Sequence, residues 1–154
     1  MNKKLIFFLG SGGLTDKLTL LQGTVGTIEA LVLFFFLNFL FPGQIQLICY
    51  FSICFFTLAS ILLGASYENY LSAKDPPSFV LDEMAGFFCS VIFLPVSVFY
   101  VLAAFVLFRV FDVWKPLLIG KSQKLPGGIG MVIDDLLAGI CANICCQILR
   151  YFLK

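Results

Sequence analysis

The stretch MAGFFCSVIFLPVSVFYVLAAFVLF, Met84 to Phe108, decides how this chain is arranged. It is apolar throughout and is broken once, by Pro95. A helix needs ~20 mostly apolar residues to cross a bilayer. The stretch therefore reads either as one crossing or as a hairpin turned near Leu94-Pro95. In the hairpin reading Met84–Phe93 is a half-depth segment, too short to span, and the chain returns before Arg109. Proline suits that turn, because it breaks a helix and the freed backbone groups can be satisfied inside protein.

The flanking residues choose between the two. Before the stretch lies a polar segment, Ser66 to Glu83, with Glu68, Lys74, Asp75, Pro76, Pro77, Asp82 and Glu83. After it lies another, Arg109 to Gly130, with Arg109, Asp112, Lys115, Lys121 and Lys124. Further out, Thr24 to Phe41 is a short candidate span carrying Glu29, Pro42-Gly43 ends it, and Ile45 to Ala65 returns. The last apolar segment, Met131 to Leu153, opens with Asp134-Asp135. The runs are long and lack period-2 alternation, so helices are expected rather than a barrel.

The positive-inside rule puts Lys3, Lys4 and Lys17 in the cytoplasm, the uncharged Phe41–Gln44 turn outside, and the Ser66–Glu83 loop inside. A single crossing by Met84–Phe108 would export Lys115, Lys121 and Lys124, against the rule. The hairpin keeps them inside and leaves Arg150 and Lys154 near the outer face. The sequence thus predicts one all-α domain over residues 1–154, a small polytopic membrane helical bundle with a half-depth helix turned at Pro95. It also predicts that Asp82, Glu83, Arg109, Asp112, Lys115, Asp134 and Asp135 share one cytoplasmic surface, so the active site faces the cytoplasm.

Composition points the same way. The 154 residues are 60% hydrophobic and 12% charged, against about 45–50% and about 25% in soluble domains. A globule this small could not hide so much apolar surface from water. Ten basic and nine acidic residues give a net charge of +1, which excludes a nucleic-acid binder relying on a basic excess. There is no histidine, so Ser-His triads and phosphohistidine chemistry are excluded. The six cysteines lie in apolar runs, none in C-x-x-C spacing, and read as small hydrophobes.

The acids carry the chemistry. Asp82-Glu83 precedes an apolar helix, where carboxylates also serve as caps. Asp134-Asp135 lies inside an apolar segment, where charge is costly and functional by default. Adjacent carboxylates repel unless a cation neutralises them. Hard oxygen donors without His or a nearby Cys suit Mg²⁺ or Mn²⁺ rather than zinc. Asp82, Glu83, Asp134 and Asp135 are therefore the expected metal ligands, with Mg²⁺ as cofactor. Asp112 is a further ligand or the base that orients a water.

Arg109, Asp112 and Lys115 share one helical arc. They read as a phosphate clamp or as snorkelling interfacial charges beside Trp114. Gly127, Gly128 and Gly130, and Thr24 in its Gly-rich surroundings, could offer backbone N–H groups to a phosphate, or could simply permit turns. Together these features describe metal-assisted hydrolysis of a phosphate ester at a membrane surface. A transporter using intramembrane acids is the rival from another class; Glu29 alone fits it.

Four stretches in order resemble the phosphatidylglycerophosphatase A family: GTVGT at Gly23–Thr27, KDPPSFVLDEMAG at Lys74–Gly86, FRVFDVWKP at Phe108–Pro116 and GGIGMVIDDLLAG at Gly127–Gly139. The resemblance implies a helical protein of the bacterial cytoplasmic membrane. It also implies Mg²⁺-dependent removal of the terminal phosphate of a phospholipid, phosphatidylglycerophosphate, to leave phosphatidylglycerol. Another lipid phosphate, or phosphotransfer, is the alternative within the same chemistry. The chain differs from the family pattern at Gln22, where Pro is usual, at Glu29, where a small apolar residue is usual, and along Gly13–Leu21.

Overall fold

A computed structural model describes residues 3–12, 22–116, 119, 122 and 127–153. All regular structure among them is helical. The elements are α1 (Lys3–Gly10), α2 (Gln22–Leu40), α3 (Ile45–Leu71), α4 (Leu81–Val91), α5 (Val98–Trp114) and α6 (Gly127–Phe152). Among the described residues three helices are long and apolar enough to cross a membrane, through Gly23–Leu40, Ile45–Leu71 and Gly128–Phe152. Lys17, Lys121, Lys124, Lys154 and the Gly13–Leu21 link lie outside the described residues.

Helix α2 stops at the Pro42-Gly43 turn, where Gly43 takes φ 84°, a conformation open mainly to glycine. Helix α3 then runs beyond the Ala65 expected from hydropathy and ends at Ser72, in the left-handed region. The polar residues after Ala65 stay helical because Tyr67 is buried there. Its ring stacks on Phe7 of α1 and meets Phe79 edge-on, and its hydroxyl donates to the Ser78 carbonyl.

Helix α4 is the axis of the bundle. Its residues from Leu81 to Phe88 are all buried, and α2, α3, α5 and α6 pack round it. Phe88 stacks on Phe56 of α3, while Phe87 meets Phe34 of α2 and Phe105 of α5 edge-on. Against α6 the approach is closer still. A Cβ built on Gly139 would stand 2.3 Å from the Gly86 carbonyl oxygen, so the two backbones touch.

At 11 residues, α4 is about 16 Å long, half of the ~30 Å hydrocarbon core. The chain then turns as the sequence predicts, with Phe93 at φ 64° and Pro95 two residues on. The turn is not left to find its own partners. Asn143 Nδ2 of α6 donates to the carbonyls of Ser90 and Ile92 at 2.9 and 2.7 Å. Gln46 of α3 accepts from Phe93 N–H and donates to Leu94 O, and Arg150 donates to Phe93 O. Gln46 and Arg150 sit in the first turn of α3 and the last turn of α6. The extended residues after α4 therefore carry the hairpin out to the level of those helix ends, although the helix itself is short. Helix α5 returns from there, so Asp82 and Lys115 lie at the same end of the bundle.

Replacing Asn143 with Leu should strip two buried carbonyls of their partner. At about 1–3 kcal/mol for each buried unsatisfied group, thermal unfolding in detergent should show a loss of roughly 2–4 kcal/mol. An unchanged melting temperature would mean that Asn143 does not hold the turn.

Candidate active site

The site is assembled by the starts of α2, α4 and α6 and the end of α5. Val80 N–H donates to the Gly10 carbonyl at 2.9 Å, which fixes the entry to α4 and with it Asp82 and Glu83 in the first turn. Both are buried, 4% and 9% exposed. The GTVGT stretch is not a loop but the opening turns of α2. A Cβ at Gly23 would stand 2.5 Å from Glu83 Oε1 and 3.2 Å from both Arg109 Nη atoms, so the missing side chain makes room for that pair. Thr24, beside it, lines the cavity.

From α5, Arg109 donates to Asp112 Oδ2 at 2.5 Å. Lys115 ends the same helix in the left-handed region, φ 45°, and its Nζ donates to Asp134 Oδ2 at 2.6 Å. Asp112 Oδ1 and Asp75 Oδ2 each stand 3.9 Å from the same ammonium. Asp134 and Asp135 lie two turns inside α6 and are 2% and 4% exposed.

These residues line a cavity of about 290 Å³, with Pro76, Pro77, Phe79, Val113 and Met131 supplying the apolar wall. Six carboxylates face two cations around it. Asp82, Glu83 and Asp135 can each present an oxygen within 4.8 Å of the other two. Glu83 Oε2 and Asp134 Oδ1 are buried there without a hydrogen-bond partner among the described residues. Burial raises the Asp82 and Glu83 carboxyls well above the usual carboxylate range, and the charge of Glu83 on Asp82, and of Asp135 on Glu83, adds to it. Burial works against the Lys115 ammonium, but the hydrogen bond and charge of Asp134 outweigh it and raise its pKa. A carboxylate cluster with, among the described residues, fewer cations than acids and an orphaned oxygen within it suits a hard divalent cation.

The structure brings together Asp82, Glu83, Arg109, Asp112, Lys115, Asp134, Asp135 and Thr24. It divides the four expected ligands. Asp135 joins Asp82 and Glu83, whereas Asp134 is taken up by Lys115. Gly127, Gly128 and Gly130 fall in the first turn of α6, and Gly128 and Gly130 are not among the described residues that line the cavity. A Cβ on Gly128 would stand 2.1 Å from the Ser60 carbonyl oxygen, so that glycine serves close packing of α6 on α3. Asp75, which the sequence placed only in the polar segment before α4, also lines the cavity. Its backbone N–H donates to Glu68 Oε1 at 3.0 Å, and its own φ is 48°. The signal for it was its place directly before Pro76-Pro77. Glu29 lies apart, against Gly12.

Comparison with known proteins gives the family. Residues 8–150 match the family model described as Phosphatidylglycerophosphatase A. The chain belongs to the phosphatidylglycerophosphatase A family. It is therefore an enzyme, a phosphatase, and its apolar helices make it a membrane protein. Relatives include proteins named phosphatidylglycerophosphatase A in Escherichia coli and Haemophilus influenzae. The first is 32% identical over 79% of this chain and 69% of its own. The second is 35% identical over 85% and 80%. A Bacteroides thetaiotaomicron protein named "Putative phosphatidylinositol-3-phosphatase" is 35% identical over 84% and 83%. No solved structure matches the chain.

The Lys115–Asp134 pair yields a double-mutant cycle. Lys115→Met should leave Asp134 uncompensated and cost about 2 kcal/mol, less than a fully buried pair because Lys115 is partly exposed. Adding Asp134→Asn should restore most of the loss. Independent, additive losses in thermal stability would show that the pair is not coupled.

Proposed function

We propose that this protein hydrolyses phosphatidylglycerophosphate to phosphatidylglycerol and inorganic phosphate, with Mg²⁺ held by Asp82, Glu83 and Asp135. The observation that carries the reading is the convergence of those three buried carboxylates in one cavity with Arg109 and Lys115. Family membership supports the reaction, and the donor chemistry supports the metal. When bound, a divalent cation supplies Lewis-acid polarisation of a phosphoryl oxygen.

The protein's own residues supply the rest. Arg109, held by Asp112, offers its remaining N–H groups to phosphate oxygens and stabilises the charge that grows on them. Lys115, pinned by Asp134, adds a fixed point charge. Asp112 accepts the proton of the attacking water. The water oxygen bonds to phosphorus, the bond from phosphorus to the glycerol oxygen breaks, and that oxygen takes up the proton held by Asp112 and leaves as the alcohol. Asp134 thus positions Lys115 rather than binding the metal.

By the positive-inside argument, the site faces the cytoplasm from the inner membrane. The relative named for phosphatidylinositol 3-phosphate is as similar as those named for phosphatidylglycerophosphate. The inositol lipid is therefore the competing head group, and parallel phosphate-release assays on the two lipids decide between them.

Phosphate release should vanish in EDTA and return with Mg²⁺, while thiol alkylation of folded protein should do little. Asp82→Asn and Asp135→Asn should each lower kcat at least 100-fold, and the double variant should be scarcely worse, because groups acting as one unit are not additive. Full turnover in excess EDTA, or near-normal turnover in Asp135→Asn, would sink this mechanism. For orientation, single cysteines at Ser78 and Ser122 in a cysteine-free background should resist labelling from outside intact cells, and one at Gln44 should label. External labelling at Ser122 but not Ser78 contradicts the topology.

A further inference from the structure

The cavity has a side that the phosphate chemistry does not use. Of its apolar wall residues, Phe79 and Met131 are buried, but Val113 on α5 is 74% exposed. Val113 is therefore at once part of the cavity and part of the outer surface of the bundle. It continues a stripe along α5: Phe99, Leu102, Val106 and Val110 are also exposed. At 100° per residue these five side chains fall within an arc of about 80°, and Arg109 lies at its edge. The phosphate-directed guanidinium and the apolar stripe thus share one helix face. From Leu102 to Val113 the stripe is about 16 Å long, close to half of the ~30 Å hydrocarbon core.

The neighbouring wall is α2, which touches α5 sparsely. At the cavity the gap between them is bounded by Gly23 and Thr24 on one side and Arg109 and Val113 on the other. Its floor is α4, where Glu83 reaches toward Gly23 and Phe87, one turn further along, packs between Phe34 of α2 and Phe105 of α5. A molecule that places a phosphate beside Arg109 and continues into hydrocarbon has this seam directly in line.

We infer that the seam between α2 and α5 is the acyl-chain site of the substrate, so that a lipid phosphomonoester enters the cavity sideways from the adjoining leaflet. The inference rests on the phosphatase reading and adds to it the path and the residues that distinguish a lipid from a water-soluble phosphate. The seam holds the chains along Val106, Val110 and Val113 while the head group stays at the cavity.

The test uses full-length protein in phosphatidylcholine vesicles containing phosphatidylglycerophosphate with a diazirine midway along one acyl chain. After illumination, adducts should concentrate on α5 between Leu102 and Val113, and excess unlabelled lipid should lower them at least fivefold. Adducts spread evenly, concentrated on the exposed α3 face at Phe55, Leu58 and Leu62, or insensitive to competitor would overturn the seam. As a second measurement, Val106→Lys should raise the ratio of long-chain to dihexanoyl substrate KM at least tenfold; an unchanged ratio also overturns it. Phosphate release by the unsubstituted protein scores the phosphatase reading separately, since it can succeed while the adducts fall elsewhere.

Discussion

Where α4 crosses α6, Gly86 and Gly139 meet with no side chain between them, and the register of the active site follows from that contact. One turn before Gly86 lie Asp82 and Glu83; one turn before Gly139 lies Asp135. A Cβ on either glycine would meet the other helix's backbone below 3 Å, and any displacement that relieved it would part the carboxylates. In lipid, helix association depends on packing rather than on hydrophobic expulsion, so small residues at a crossing are how backbones come close. Gly128 against Ser60 of α3, and Gly23 against Glu83 and Arg109, apply the same device at two further crossings. The charged cavity is lined by helices that have given up side chains to reach it.

Much of this was legible in the sequence. Span lengths and the bias of positive charge are properties of the chain against a bilayer, and they suffice to turn the chain at Pro95 and gather both polar stretches at one end. The cost of Asp134-Asp135 in an apolar run likewise needs no structure. What stayed hidden depends on partners far away in the chain. The helical state of Ser66–Leu71 rests on Tyr67 packing with Phe7 and Phe79. The separate duties of Asp134 and Asp135 depend on Lys115 reaching one and not the other. A glycine tells only that a Cβ is unwelcome; at Gly128 the obstacle is a neighbouring helix, where the sequence suggested a phosphate.

The distribution of charge shows how a membrane protein can keep acids that a bilayer disfavours. Asp134 and Asp112 are each matched by a cation on α5. Asp82, Glu83 and Asp135 are not matched to the same degree, and they are also the three whose oxygens converge. On the function proposed above, that imbalance is what a divalent cation would offset.

The clamp on the Phe93–Pro95 turn bears on how the chain is made. Its carbonyls accept from Asn143 and Arg150, more than fifty residues downstream. While α4 and α5 are leaving the ribosome, those donors do not yet exist, and of the clamp only Gln46 of α3 is in place. Helix α4 packs on α2 and α3, which precede it, but its most extensive neighbour is α6, which follows. The hairpin is thus completed only by α6, which follows it in the chain and closes both the turn at one end and the carboxylate cluster at the other. Assembly order and catalytic competence are tied together, because no nascent chain lacking α6 can present a finished site.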